Sequence, residues 1–351
     1  GHTVRLANLR RLVARAQRHG IGVYLYMNEP RAMPASFFAT RHSMQGVQEG
    51  AYCALCTSSP KVLDWLSNAL TYVFENVPDL AGVFTITASE NLTHCASHHR
   101  HTNCPRCWER TAPEIITEVN AAIERGVHRG NPDAKVLVWD WGWQDGWAAD
   151  IISSLPKSVW LMSVSEWSLP ISRGGVSSVV GEYSISSVGP GPRARRHWGL
   201  ANQAGLKTVA KGQLNNTWEL SAVPYLPVLD LVAEHCQALA AANIDGFMLS
   251  WTLGGYPSPN LEIAHHFCRD PIPTQESVLD AVARDRFGSD GAADARLAWT
   301  AFSNAFREYP YHPTVVYSCP IQYGPANLFY VSPTGYAATM VGMPYDDLNG
   351  W

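Results

Sequence analysis

The run TITASENLTHCASHHRHTNCPRCWERT, residues 85–111, brings together a carboxylate at the end of its apolar stretch (Glu90), three cysteines (Cys95, Cys104, Cys107) and four histidines (His94, His98, His99, His101). Two chemistries are expected there. A carboxylic acid following an apolar, β-branched run is placed to give and take protons. Thiolate and imidazole are the ligands zinc prefers, and the two-residue spacer of Cys104-Pro105-Arg106-Cys107 lets both sulfurs reach one ion. The expected ligand set is Cys95, Cys104, Cys107 and one histidine, taken as His98. A second Cys-x-x-Cys pair, Cys53 and Cys56, sits in the preceding connection and is available to join. The set leaves no position open for water, so the ion would staple a loop rather than catalyse. A bracing disulfide, free thiols and a redox pair activated at a helix N-terminus are the alternatives. No cofactor is expected for catalysis.

Other polar clusters occupy equivalent places. Apolar runs end in Asn28-Glu29-Pro30-Arg31, in Ser89-Glu90-Asn91, in Asp140-Trp141-Gly142-Trp143 and in Glu166-Trp167. Two more lead to Asn215-Asn216-Thr217-Trp218-Glu219 and to Trp251. Carboxylates for acid chemistry, amides and arginine for hydroxyls, and indoles for ring faces are the composition of a carbohydrate site. For any one acid a salt bridge or a helix cap is the plainer reading, and for any one tryptophan core packing is. The recurrence at six run ends is what argues for a site.

The elements that position these residues repeat one grammar. IGVYLYMN (21–28), LAGVFTIT (80–87), AKVLVWDW (134–141), SVWLMSVSEW (158–167), LKTVAKGQL (206–214) and DGFMLSWT (245–252) read as strands buried on both faces. Helical patterns lie between them, with apolar residues at three- and four-residue spacing, as at Ile115, Val119, Ala122 and Ile123. Strand and helix in alternation predict a parallel sheet with right-handed crossovers. Polar clusters after the strands favour a (β/α)8 TIM-type barrel, whose sites lie at the C-terminal face, over an open doubly wound sheet. Six strands fall short of eight, and the chain opens inside a helical pattern, so the first two strands are expected upstream of this sequence. The barrel is assigned to residues 1–260. Residues 261–351 are expected to form a C-terminal helical appendage, two helices and then a tail rich in Pro, Gly and Tyr.

Composition narrows the partners. Charged residues are 16% and apolar residues 46% of the 351, as suits a well-buried core, and 13 Trp and 14 Tyr supply aromatic walls. A net charge of −4 without any Lys/Arg run gives no track for nucleic acid. No apolar run approaches the roughly 18 residues that span a bilayer. GHTVRL is not a signal peptide, which leaves the compartment open with the cytoplasm slightly favoured. An incomplete barrel would have reason to bury its open edge against a partner, so an oligomer is allowed.

SSPKVLDWLSNALTYVFENVPDLAGVFTITASEN resembles the stretch of family 20 β-N-acetylhexosaminidases that leads to their Asp-Glu pair. YLYMNEPRAMP, NNTWELSAVPYLPV and WTLGGYPSPN are similar to parts of related barrels, including β-N-acetylgalactosaminidases. The resemblance runs over residues 5–260 and is specific only in these pieces. It implies an exo-acting glycosidase on β-linked GlcNAc or GalNAc, in which the substrate's own acetamide attacks the anomeric carbon. It implies Glu90 as general acid/base, with a glycan as the partner. Ser89 stands where the family has Asp, so another acid, Asp140 or Glu166, is expected to polarise the acetamide. Asn28, Glu29, Arg31, Asn91, Asp140, Trp143, Glu166, Asn215, Trp218 and Trp251 are the expected substrate-binding residues. Two alternatives stay open: a retaining β-glycosidase with Glu90 as acid/base and Glu219 as nucleophile, and a lectin-like barrel that binds glycans without cleaving them.

Overall fold

Each of the six runs carries a strand in the computed structural model, which describes residues 1–88, 91–221, 223–251, 256–313 and 316. The elements are α1 (His2–Gln17), β1 (Tyr24–Met27), β2 (Met33–Pro34), β3 (Gln45–Glu49), β4 (Tyr52–Leu55), α2 (Pro60–Asn76), β5 (Gly82–Ile86) and α3 (Ala112–Gly130). There follow β6 (Lys135–Trp139), α4 (Ala148–Ser154), β7 (Trp160–Val164), β8 (Pro170–Arg173), β9 (Val176–Val179) and α5 (Pro192–Gln203). The chain continues through β10 (Lys207–Lys211), α6 (Leu229–Ala241), β11 (Gly246–Met248), α7 (Pro259–His266) and α8 (Gln275–Phe306). The main sheet has the order β1-β5-β6-β7-β10-β11. Its first three pairings are parallel, with Tyr24 opposite Gly82, Gly82 opposite Lys135 and Leu137 opposite Trp160. This is the strand order of part of a TIM-type barrel, with helices between the strands.

The chain divides into two compact units: Gly1–Ser163 with His197–Val209, and Val164–Arg196 with the described residues from Ala210 onward. In the first unit α3 shows how sequence becomes packing. Thr111 and Glu114 close a reciprocal capping box at its start, and Pro113 lies in the first turn, where no N–H is missed. Its stripe Ile116, Val119, Ile123 and Val127 is buried in one core with Leu66, Leu70 and Phe74 of α2. Each such side chain contributes about 1.5–3 kcal/mol on burial. Gly126 lets the two helices approach, because a Cβ there would stand 2.4 Å from the Ser67 carbonyl oxygen. Ser59 occupies the N-cap of α2 as its sequence suggests, yet its side chain makes no capping hydrogen bond. Beside the main sheet β2, β4 and β3 form an antiparallel sheet, with Met33 opposite Cys53 and Glu49 opposite Tyr52. The sequence predicts only a connection there.

In the second unit β8 and β9 make a hairpin across Gly174-Gly175. Helices α6, α7 and α8 share one core, in which Leu229, Val232, Ile263, Phe267, Leu279, Val282 and Trp299 are buried together. The C-terminal helices are therefore present and packed onto α6, and residue 260 falls inside α7. The two helices expected within residues 261–351 correspond to α8, which is broken into two at Gly288 (φ 69°, ψ 175°). The tail after residue 316 lies outside the described residues. Among the described residues no helix is long and apolar enough to cross a membrane.

Candidate active site

Strand ends of the first unit carry Asn28, Glu29, Asn91, Asp140 and Trp143. The Asn28 side chain is buried and donates to the Tyr26 hydroxyl, while the Tyr26 ring stacks on Phe84 with centroids 5.0 Å apart. Glu29 is only partly buried and accepts the Arg31 N–H at 2.7 Å. Burial pushes its carboxyl above the usual range, and Arg31 opposes that shift. Arg31 itself is exposed. Strand β5 lies against β1, with Met27 opposite Thr85, so the residues that follow both strands leave the sheet side by side. Ser89 and Glu90 lie outside the described residues. The segment beyond them is laced to the small sheet: Ala32 N–H donates to the Leu92 carbonyl at 3.0 Å, and Leu55 N–H to that of Thr93 at 3.1 Å.

Asp140 is fully buried. Its Oδ2 accepts from the Ser163 hydroxyl at 2.6 Å and from His197 Nδ1 at 2.6 Å. A carboxylate paired in this way ties β6 to β7 and α5 rather than meeting a ligand. Trp143 is buried as well and donates Nε1–H to Thr87 Oγ1 at 3.2 Å. Gly142 makes that return possible: its φ is +74°, and a Cβ there would lie 1.9 Å from the Ala88 carbonyl oxygen.

Strand ends of the second unit carry Glu166, Lys211, Asn215, Trp218, Glu219 and Trp251. Glu166 is buried, accepts from the Ser165 hydroxyl, and lies 3.1 Å from His235 Nε2. The same Nε2 is 2.6 Å from Ser165 Oγ. One imidazole nitrogen thus meets both partners, and a nucleophile–base–acid relay needs two. The trio is a buried node.

Glu219 is the most completely satisfied acid of the molecule's described strand ends. Its oxygens accept from the hydroxyls of Ser184 (2.6 Å), Ser186 and Thr217 (2.7 Å), and from the N–H groups of Ile185 (2.7 Å) and Ser186 (3.3 Å). It is 0% exposed. Asn215 donates to the Tyr256 carbonyl at 2.6 Å and accepts from the Ser258 hydroxyl. Asn215, buried Trp218 and Glu219 therefore shape the loop that follows β10.

Lys211 was not among the expected residues. It ends β10 fully buried, donates to the Tyr183 hydroxyl, and holds Nζ 4.6 Å from the ring centroids of both Tyr183 and Trp251. Burial pulls its pKa down to about 7, against the opposing charges of Glu182 and Glu166. A lysine at the C-terminal end of an apolar strand run was the available signal. The cavity lined by Asn243, Asp245, Phe267 and Ile272 sits at the start of β11, the wrong end of that strand for chemistry in such a fold.

The cysteines correct one expectation. The sulfurs of Cys56, Cys95, Cys104 and Cys107 all lie within 4.8 Å of one another, so the fourth member is Cys56 and not His98. His98 instead directs Nδ1 to Glu49 Oε2 at 2.8 Å. Cys53 points the other way, into a core with Phe38, Leu55 and Val62. Cys104 and Cys107 lie in a turn ahead of α3 rather than in its first turn, with the Cys104 carbonyl accepting from the N–H groups of Cys107 and Trp108, both at 3.0 Å.

No protein-family model matches the chain, and no curated protein does. Solved structures do match. A GH138 enzyme targeting pectin rhamnogalacturonan II aligns with a TM-score of 0.51 at 13% identity, over 88% of this chain and 34% of its own. A family 89 glycoside hydrolase from Clostridium perfringens, in complex with PUGNAc, aligns with a TM-score of 0.52 at 13% identity, over 84% and 30%. The chain thus spans about a third of the length of these enzymes. A family 20 chitobiase from Flavobacterium johnsoniae follows with a TM-score of 0.40 at 14% identity, over 87% and 42%, a score too low to single out that family. At such identity the likeness establishes the fold: an α/β chain with the strand and helix arrangement found in glycoside hydrolases.

Proposed function

We propose that this chain is the barrel portion of a glycosidase acting on β-linked N-acetylhexosamine, GlcNAc or GalNAc, within a (β/α)8-type fold. The observation that carries the reading is the placement of acidic, cationic and aromatic side chains at the C-terminal ends of strands in a fold shared with glycoside hydrolases. Glu90 is the general acid/base: it protonates the glycosidic oxygen as the acetamide attacks C1, then deprotonates the water that opens the cyclised intermediate. Ser89 cannot stabilise the positive charge that grows on the acetamide. Asp140 and Glu166 are poor substitutes, since both are buried and engaged. Glu29 takes that role in this proposal. It is partly exposed, and it follows the strand paired with the one that leads to Glu90. Its raised pKa then sets the acid limb of the pH–rate profile above the ordinary carboxylate range.

Glu219 is assigned to loop anchoring rather than nucleophilic attack, because its oxygens are already committed to protein donors. The test is hydrolysis of aryl β-GlcNAc and β-GalNAc with a thiazoline mimic of the cyclised acetamide as inhibitor. The proposal expects turnover, and inhibition by the thiazoline at least about 10²-fold tighter than by the free sugar. Glycan binding without turnover would instead make the barrel a lectin. Turnover with no preference for the thiazoline would transfer the reaction to a protein nucleophile.

A further inference from the structure

We infer that Cys56, Cys95, Cys104 and Cys107 form a tetrathiolate zinc site that staples the segment between β5 and α3 to the end of β4. Four sulfurs at about 2.3 Å from one ion in a tetrahedron stand about 3.8 Å apart. Here Cys56 Sγ is 3.7 Å from Cys104 Sγ and 3.5 Å from Cys107 Sγ, and all four ligand atoms lie within 4.8 Å of one another. Disulfides would leave two short pairs, with sulfurs about 2.05 Å apart. Instead one sulfur, that of Cys56, approaches two others almost equally. All four cysteines are at most 1% exposed, among Val47, Ala54, Ala96, Ala112 and Ile115.

The surroundings suit a doubly negative centre. The Ser58 hydroxyl lies 3.2 Å from Cys107 Sγ, and Arg106, which sits in the sequence between Cys104 and Cys107, donates from its guanidinium to the Gln45 carbonyl. Hydrogen bonds to ligand sulfur from an outer layer are what a metal–thiolate centre needs. A tetrahedral set of four sulfurs admits zinc or iron. Zinc is chosen because the sulfurs are sealed from solvent, which suits a closed structural site rather than an exchange of electrons.

The site accounts for the local chain. Cys104 and Cys107 leave a tight turn together, Cys95 arrives from the opposite end of the same segment, and Cys56 follows β4. Metal binding would thereby couple the folding of the small sheet to that of the segment that begins at Glu90.

The experiment is metal analysis of the full chain, with cobalt exchange, on the unaltered protein and on His98→Ala and Cys56→Ser. One zinc per chain is expected, and cobalt should give the intense near-ultraviolet and visible bands of four thiolates. His98→Ala should keep the full equivalent and the same spectrum, since His98 is outside the set. Cys56→Ser should lose the metal or bind it with the altered spectrum of three thiolates; if that variant does not fold, the unaltered protein and His98→Ala still decide. Loss of metal in His98→Ala would overturn the ligand set. Iron in place of zinc would overturn the ion. A metal-free protein whose denatured, unreduced form shows fewer than its eight thiols would replace the site with a disulfide, and eight thiols without metal would remove it altogether.

Discussion

The sulfur cluster beneath the small sheet and the carboxylate node at Glu219 are both fully buried polar centres, and they are completed in opposite ways. Around Glu219 the chain supplies every partner: three hydroxyls and two backbone N–H groups converge on two oxygens. Around Cys56 the sulfurs face one another, and the Ser58 hydroxyl reaches Cys107 from outside the cluster. A buried charged group must be neutralised, hydrogen-bonded or given a counter-ion. Glu219 follows the second course and the cysteines call for the third. Lys211 follows the first: burial pulls its pKa down to about 7, although the Tyr183 and Trp251 rings lie close to its Nζ.

The Glu219 node should show the larger effect of substitution. Replacing it with Gln turns an acceptor-only group into one whose NH2 opposes the fixed N–H of Ile185 or Ser186. Urea unfolding should register a loss of about 2–4 kcal/mol, the cost of stranding buried donors. Turnover per folded molecule on an activated aryl glycoside should survive. A stable variant without turnover would return Glu219 to the role of nucleophile.

Lys211 should show a smaller and pH-dependent effect. Its folded pKa near 7 lies below the ordinary 10.5, so between those values the unfolded chain binds more protons than the folded one. Stability from this group therefore rises with pH from about 7 to 10.5, and the penalty is fully present below 7. Lys211→Met should stabilise the protein at pH 6–7, by an amount that shrinks towards pH 10, as followed by denaturant midpoints. A constant difference across that range would mean that the lysine is charged where it lies.

Much of the architecture was legible because strand burial writes itself locally. Runs such as VFTI and VLVW are apolar on both faces, and each became a strand of the parallel sheet. The α3 capping box is equally local. The small sheet was missed because β2 has two residues and β3 reads as polar QGVQE. The hairpin at Gly174-Gly175 had its turn signal but little apolar alternation. The candidate site was harder to read, since its pairings are distant in sequence. Asp140 meets His197, and Glu219 is occupied by Ser184 and Ser186 from a preceding loop. Spacing predicts that Cys104 and Cys107 face one ligand, but that Cys56 rather than Cys53 lies beside them depended on β4, a strand that the sequence does not announce.

In the proposed mechanism Glu90 supplies the proton, and the direct measurement is the leaving-group dependence of Glu90→Gln. A general acid contributes roughly 10²–10⁴-fold where the departing oxygen is a poor leaving group. On a natural β-linked N-acetylhexosaminide the variant should lose that factor in kcat/KM. On an activated aryl glycoside, whose leaving group needs little protonation, the loss in the first chemical step should be far smaller. Full activity of Glu90→Gln on the natural linkage would contradict the account.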